Sequence, residues 1–278
     1  MTVKDVRKIM TDAGIDLDAT KEAMERDMLK TNYEAIPQMT DFSWVKNEVK
    51  RAEKLAAYAE ARRVLDKFVT DRVQPLLKDK HYAAAAKRIG LDWANKSALS
   101  QTEAFAIINF TSMHDDSQGR VAVDEAMLKT DSGKDDDYDA AKQMLRCLRF
   151  TCYEVQGMKA HCGLKCRDFL TEREFFLLDR QLSTYPQMKG AGMVASLVPV
   201  GDCFMTTGFG LPVFASNPSA FFAEWFKSIA VSESRPIYFS RKEMASFAAM
   251  TIKMLLQGGM GEKMRKGEPQ RSCYRSTC

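Results

Sequence analysis

Clustered lysine and arginine side chains are the residues of this sequence whose type and spacing most clearly allow chemistry. Residues 44–90 carry twelve Lys or Arg against six Asp or Glu. Such clusters bind phosphates and release counterions, which gives sequence-independent affinity for nucleic acid. The candidate nucleic-acid-binding residues are Lys46, Lys50, Arg51, Lys54, Arg62, Arg63, Lys87 and Arg88. The alternative is a solvated helix face, because Glu48, Glu53 and Glu60 are interleaved as ion-pair partners.

An acidic stretch further along the chain has the opposite excess of charge. Residues 115–139 carry nine acids against three bases. The segment 131–135 lacks the alternating ligands of an EF-hand loop, so a specific metal site is not expected there. Asp135, Asp136 and Asp137 would instead lie near the positive end of a helix beginning at Tyr138. Two separated poles suggest binding to a polyanion, contact between copies of the chain, or both.

One cluster of cysteines has the residue types of a metal site. Cys147, Cys152, Cys162 and Cys166, with His161 adjacent, could supply the four sulfur or nitrogen ligands that zinc takes. Their spacing matches no compact zinc pattern, so buried structural thiols are the favoured interpretation. We therefore predict no metal and no cofactor.

Catalytic patterns are absent from the sequence. Only three histidines could serve as the base for a Ser or Cys nucleophile, and no G-x-S-x-G elbow occurs. Residues 190–195 fit the letters of the G-x-G-x-x-A dinucleotide pattern, but Pro186 and Pro199 interrupt the strand and helix that it requires. No catalytic residue is predicted. If the protein is an enzyme, its site is expected in the glycine-rich segment 188–214, with Asp202 and Cys203.

Helices are expected to position most of these side chains. A helical pattern runs from Asp41 to about Gln74, where Pro75 kinks or ends it because proline lacks the N–H and clashes with the preceding turn. Another helix is expected from Tyr138 to Met158. Capping boxes and one Asn-Pro pair predict further helix starts at Ser100–Glu103, Thr171–Glu174, Ser240–Glu243 and Asn217-Pro218.

Two apolar stretches have helical spacing. Exposed rings can stack on bases, but core packing is the favoured role of Phe221, Phe222, Trp225, Phe226 and Ile229, which share one helix face. The stretch 244–256 is apolar nearly all round, so it is either deeply buried or an interface.

The predicted fold is mainly α, with two helical lobes around the kinked helix of residues 41–74 and a small irregular or β-hairpin segment near 188–214. The predicted divisions are an N-terminal helical arm (1–40), a helical lobe with the basic and acidic segments (41–187), a C-terminal helical lobe (188–258) and a flexible basic tail (259–278).

The favoured function is a non-enzymatic protein that binds nucleic acid, RNA or a single strand without regard to sequence, and assembles with copies of itself as nucleoprotein or coat subunits do. The alternatives are the enzyme described above and a helical interaction or regulatory protein that uses residues 244–256. The first thirty residues are densely charged, and no apolar stretch approaches the roughly 20 residues that cross a bilayer. An intracellular, cytoplasmic location without a membrane partner is therefore expected.

Overall fold

The computed structural model describes residues 42–117, 119–213, 215, 217–228 and 239–257. The predicted arm (1–40), the predicted basic tail (259–278) and Ile229 lie outside these residues. The helices of the described part are α1 (Glu48–Phe68), α2 (Asp79–Arg88), α3 (Gln101–Met113), α4 (Ala122–Lys129), α5 (Asp136–Arg146), α6 (Pro218–Ser228) and α7 (Arg241–Leu255). The strands are β1 (Arg149–Lys159), β2 (Gly163–Asp168), β3 (Glu174–Leu178), β4 (Gly192–Val200) and β5 (Cys203–Val213).

Helix α1 is the long basic helix. It begins after Asn47, whose side chain accepts a hydrogen bond from the backbone N–H of Lys50 at 3.1 Å. Beyond its last residue the chain continues as a π-helical turn, Val69–Val73, and then as a 3-10 turn, Gln74–Leu76, which contains Pro75. The α-helix is therefore shorter at both ends than the predicted 41–74, and the kink or end expected at Pro75 falls where the π-helical turn changes to the 3-10 turn.

The buried face of α1 lies in its second half. Val64, Leu65 and Phe68 are buried there, whereas Val49 in the first half is 68% exposed. Ala52, Ala56 and Ala59, the small apolar residues of the first half, are exposed as well. The helix is therefore anchored by its second half.

The five strands form a closed barrel in the order β1-β2-β3-β5-β4. Neighbouring strands are antiparallel except β3 and β5, which are parallel. Successive side chains of a strand point to opposite faces. Along β1, Tyr153 and Val155 accordingly pack in the barrel interior, while Phe150 and Cys152 pack outside it.

The predicted mainly α fold is wrong, because this barrel makes the protein a mixed α and β fold. The error begins with the helix expected from Tyr138 to Met158, which ends at Arg146 and gives way to β1. From Phe150 to Val155 the apolar and aromatic residues alternate between two buried faces, which is the period of a strand and not of a helix. The hairpin considered near 188–214 does form, as β4 and β5, but these are two strands of the barrel.

The capping box expected at Thr171–Glu174 is also wrong. The carboxylate of Asp168 accepts hydrogen bonds from the N–H groups of Leu170 and Thr171, at 2.7 and 3.2 Å. Glu172 then adopts a φ of 60°, and Glu174 begins β3. A tight turn between two strands thus replaces the helix start.

The other predicted helix starts are confirmed. Ser100 and Ser240 each form a complete capping box at the starts of α3 and α7, with Glu103 and Glu243. At α6 the side chain of Asn217 accepts a hydrogen bond from the N–H of Ala220 at 3.0 Å. Local signals were sufficient here because a cap satisfies backbone donors within four residues.

Two groups of helices cover the outside of the barrel. Helices α1, α4 and α5 enclose one hydrophobic cluster against the outer side chains of β3, β4 and β5. Helices α2, α3, α6 and α7 enclose another against β1, β4 and β5. A third cluster fills the barrel interior. No helix in the described part of the chain is both long and apolar enough to cross a membrane.

Candidate nucleic-acid interface

The register of the strands brings two turns to the same end of the barrel. The β1–β2 turn, 160–162, precedes Gly163, which pairs with Leu178 at the end of β3. Its neighbour Leu177 pairs with Phe204, which follows the β4–β5 turn, 201–202. The two turns therefore lie close to each other at one rim of the barrel.

The first half of α1 lies at this rim. The ammonium group of Lys54 forms an ion pair with the carboxylate of Asp202, at the tip of the β4–β5 turn. Burial raises the pKa of the Cys162 thiol at the β1–β2 turn, and the positive charges of Arg51 and Lys159 oppose that rise. We call these bases the basic rim: Lys46, Lys50, Arg51, Lys54 and Lys159.

Aromatic contacts hold the chain at this end of α1. Trp44 is buried and packs edge-on against the ring of Phe176 on β3, with 4.9 Å between ring centres. The Lys54 ammonium stands 4.9 Å from the centre of the Trp44 ring. Lys54 is thus held between an aromatic face and a carboxylate.

The remaining bases of the rim differ in exposure and in whether their charged groups have partners within the chain. Arg51 donates to the carbonyl oxygen of Val45 at 3.1 Å and is half-buried. Lys46, Lys50 and Lys159 are exposed, and none of them forms an ion pair with a residue that the structure describes.

The helical geometry explains why α1 is basic at the rim. Stepped at about 100° per residue, Lys50 and Lys54 continue the face that carries the buried side chains of the second half, and Arg51 lies about 40° beyond one edge of that face. Glu53 lies about 20° beyond the opposite edge, and Glu48 is on the far side of the helix. The face of α1 that is apolar over the barrel wall therefore becomes basic where the helix passes the rim.

The predicted residues of the second half of α1 have partners within the chain. Arg62 donates to the backbone oxygen of Thr206 on β5 at 2.5 Å. Arg63 donates to Glu60 at 2.6 and 2.9 Å and to Asp137 at 2.7 and 2.9 Å. These two arginines serve intramolecular contacts, and the structure does not bring them to the rim lysines.

Lys87 and Arg88 lie on α2, in the other group of helices. Arg88 donates to Asp115 at 2.9 Å and to Asp116 at 2.5 Å. Lys87 is exposed. The eight predicted residues thus do not form one surface.

The two charge poles of the sequence pair with each other within one chain. Lys67 lies 3.0 Å from Asp135 and 2.8 Å from Asp137, which Arg63 also contacts. Hydrogen bonds from Arg63 and Lys67 hold the pKa of the Asp137 carboxyl well below its usual range. Asp135 in addition caps α5 by accepting from the N–H of Asp137 at 2.9 Å. These acids are consequently occupied within the chain.

The four candidate metal-binding cysteines are separated from one another. Cys152 packs with the cluster of α2, α3, α6 and α7, Cys162 with that of α1, and Cys166 with the barrel interior. Cys147 lies half-buried at the end of α5. Within the described residues, no group of three or more His, Cys, Asp or Glu is placed to hold a metal.

The glycine-rich segment 188–214 contains the β4–β5 hairpin and the short stretch of chain that leads into β4. Gly190 has a φ of 81°, and a strand follows it, so no helix N-terminus meets a phosphate there. Cys203 is buried, and this burial raises the pKa of its thiol. A protonated, buried thiol is a poor nucleophile. Of the candidate enzyme residues, Asp202 is therefore engaged in an ion pair with Lys54. Cys203 is poorly suited to act as a nucleophile because its thiol is buried.

The described parts of α6, which carries the aromatic residues, and of α7, which is largely apolar, pack into the hydrophobic core. Phe222 and Phe226 are buried, and Phe221 and Trp225 pack against the same cluster. In α7, Met244 and its apolar neighbours join that cluster, although Met250 is 43% exposed. Core packing is confirmed for these described rings, while use of 244–256 as an interface stays a prediction.

A buried polar chain connects α3 to the barrel. His114 Nε2 lies 2.6 Å from Ser196 Oγ, which donates to Asn109 Oδ1 at 3.1 Å. Asn109 Nδ2 in turn donates to Thr207 Oγ1 at 2.9 Å. Burial, with the positive charge of Arg241, lowers the pKa of His114 to about 3. Ser196 is fully buried, so this chain joins elements and offers no nucleophile to a substrate.

A second polar surface lies beside the basic rim, on the outer face of β2 and at Glu174, the first residue of β3, whereas Phe176 and Leu178 farther along β3 are buried in the α1 cluster. Lys165 Nζ is 2.9 Å from Glu174 Oε1, and 4.7 Å from the centre of the Phe42 ring. Arg167 is exposed and lies 4.0 Å from Glu172. The alternation of charged with buried residues from Leu164 to Asp168 was the available signal for this strand face.

A closed barrel of five strands in this order, with β3 parallel to β5, has the topology of the OB-fold. Comparison of the chain with known protein families, with curated proteins and with solved structures finds no match. No relative therefore indicates an activity, and the function is inferred from the barrel and the charged groups at its rim.

Proposed function

We propose that this protein binds single-stranded nucleic acid at the basic rim, without reading its sequence. The proposal depends mainly on one observation, the position of the basic half of α1 beside the β1–β2 and β4–β5 turns. In barrels of this topology, those two turns and the adjoining β2–β3 face bind oligonucleotides. Function depends on the groups that a fold presents at its site, which here are the charged side chains of the rim.

The charges of the rim suit a phosphate backbone. Lys46, Lys50 and Lys159 are exposed, and clustered ammonium groups gain affinity by releasing condensed counterions. The neighbouring outer face of β2 adds Lys165 and Arg167, although acids accompany both. A single strand fits this arrangement because its backbone can follow a curved rim.

Self-association was the other half of the hypothesis drawn from the sequence. It is left out of this proposal, because four of the nine acids in the stretch 115–139, Asp115, Asp116, Asp135 and Asp137, pair with Arg63, Lys67 and Arg88 of the same chain.

Reversal of two exposed lysines tests the proposal. The double variant Lys46→Glu with Lys50→Glu is compared with wild type in the binding of a fluorescein-labelled 20-nucleotide oligothymidylate, by fluorescence anisotropy from low to moderate salt. We expect affinity to fall by about tenfold or more. The slope of log affinity against log salt should decrease by about 1.4, because each phosphate contact on a single strand contributes about 0.7.

A matched control has the same change of charge on helices α6 and α7, which pack in the other outer hydrophobic cluster. Lys227 on α6 and Lys242 on α7 are both exposed. The double variant Lys227→Glu with Lys242→Glu should retain most of the affinity. The proposal is refuted if wild type shows no binding at low salt, or if the control pair weakens binding as much as the rim pair does.

A further inference from the structure

The β4–β5 turn holds a carboxylate where the proposed ligand would place a phosphate. We infer that Asp202 competes with nucleic-acid phosphates for Lys54, and so limits the affinity of the rim. This inference rests on the proposed function, and it assigns Asp202 a regulatory role within that site.

The turn fixes the position of Asp202. Val200 pairs with Cys203, so residues 201 and 202 alone connect the two strands. Gly201 has a φ of 60°, a conformation that glycine adopts without strain. The Asp202 carboxylate is therefore held close to the end of the barrel, and it also accepts a contact from Cys203 Sγ at 3.5 Å.

The Lys54 ammonium group contacts the Trp44 ring as well as Asp202. Its side chain is 24% exposed, compared with 45% for Asp202, and its ammonium faces the Trp44 ring. Arg51, the next base of the rim, donates to a backbone oxygen instead of a carboxylate. Among the rim bases that the structure describes, Lys54 is the one with an acid at its ammonium group.

A carboxylate and a phosphate oxygen make the same kind of charge-assisted hydrogen bond to an ammonium group. A phosphate that approaches Lys54 must displace Asp202 or accept its repulsion. Half-exposed ion pairs are weak, so the competition should reduce affinity without abolishing it.

Asp202→Asn isolates this effect, since asparagine keeps the size of the side chain and suits a tight turn. We expect the variant to bind the labelled oligothymidylate about three- to tenfold more tightly than wild type at low salt. Asp131→Asn is the matched control, because Asp131 is an exposed acid whose partner, Lys134, is only three residues away and is not one of the rim bases. It should change affinity by less than about twofold.

A second background separates competition for Lys54 from a general loss of negative charge. In Lys54→Met, which keeps the apolar stem against Trp44, Asp202→Asn should have no larger effect than the Asp131→Asn control. An equal tightening with and without Lys54 overturns the inference. So does an Asp202→Asn variant that melts like wild type and binds no more tightly than the control.

The outcomes for the two proposals are distinguishable. If wild type binds and the Lys46→Glu, Lys50→Glu variant is weakened, but Asp202→Asn behaves as the control does, then the role of Asp202 is refuted and the proposed function stands. If wild type does not bind at low salt, both are refuted.

Discussion

Acid should destabilise this protein through one histidine, before most of its carboxylates are protonated. His114 is 2% exposed, and its ring packs near Phe110 and Phe150 at 6.4 and 5.6 Å between centres. Its pKa is lowered from 6.5 to about 3, first by burial and then by the positive charge of Arg241. The folded state therefore keeps this imidazole neutral in mildly acidic solution.

The direction of the effect follows from proton binding. Between pH 6.5 and about 3 the unfolded chain binds a proton at His114 and the folded chain does not. The free energy of unfolding therefore rises with pH across this window and falls as the solution is acidified. Stability from the neutral ring is complete above pH 6.5 and is lost progressively below it.

The size of the effect follows from the same two values. One pKa unit corresponds to about 1.4 kcal/mol, so at pH 5 the loss from His114 is about 2 kcal/mol. The loss would approach its full value of about 5 kcal/mol only below pH 3. A domain is commonly stable by only about 5–15 kcal/mol, so even the smaller loss is measurable.

Urea unfolding followed by circular dichroism measures this loss at pH 7 and at pH 5. The variant His114→Gln keeps an amide within reach of Ser196 but cannot titrate. It should be less stable than wild type at pH 7, by about 1–3 kcal/mol, because the polar chain is disturbed. Between pH 7 and pH 5 it should lose about 2 kcal/mol less than wild type does.

Other titrating groups are shared by the two proteins and cancel in this difference. Asp66 and Asp179, whose carboxyl pKa values burial raises, contribute equally to both. If wild type and His114→Gln lose the same free energy between pH 7 and pH 5, the account of a buried neutral histidine is refuted.

Two further substitutions test the fold. Gly163→Ala should destabilise the protein by about 2 kcal/mol or more in thermal melts, because its new methyl group would clash with the Leu177 carbonyl and lie 2.6 Å from a Phe176 ring carbon. Gly157→Ala, whose methyl group would meet only the Lys165 Cβ at 3.8 Å, should cost less than about 1 kcal/mol, and equal costs would contradict the barrel register. Ser100→Ala should cost about 1 kcal/mol in urea unfolding by removing the cap of α3, whereas a change of similar size in the exposed Ser97→Ala would argue against capping.

Local sequence signals predicted the elements that depend on near neighbours. The side chains of Ser100, Ser240 and Asn217 accept hydrogen bonds from backbone N–H groups in the first turn of the helix that follows. The residue types at these positions were therefore sufficient to predict the helix starts. Pro75 likewise acts on the preceding turn. The barrel depends instead on pairings between distant segments, such as Leu177 with Phe204, that no local pattern indicates.

The candidate site was predicted in part. Lys46, Lys50, Arg51 and Lys54 were selected from charge and helical spacing, but their approach to the two turns required the barrel. The exposed Ala52, Ala56 and Ala59 show that small apolar side chains alone do not reveal which face of this half of α1 is buried. The pairing of Arg63 with Asp137, 74 residues away, could not be read from charge counts.

The dispersal of the cysteines has a practical consequence for studying the motions of this protein. Cys152, Cys162 and Cys166 each belong to a different hydrophobic cluster. Local opening free energies differ between parts of a structure, and a buried thiol reacts with an alkylating reagent only when its surroundings open. The rates at which these three thiols are labelled under native conditions would therefore time the opening of the outer helices, the α1 face and the barrel interior separately.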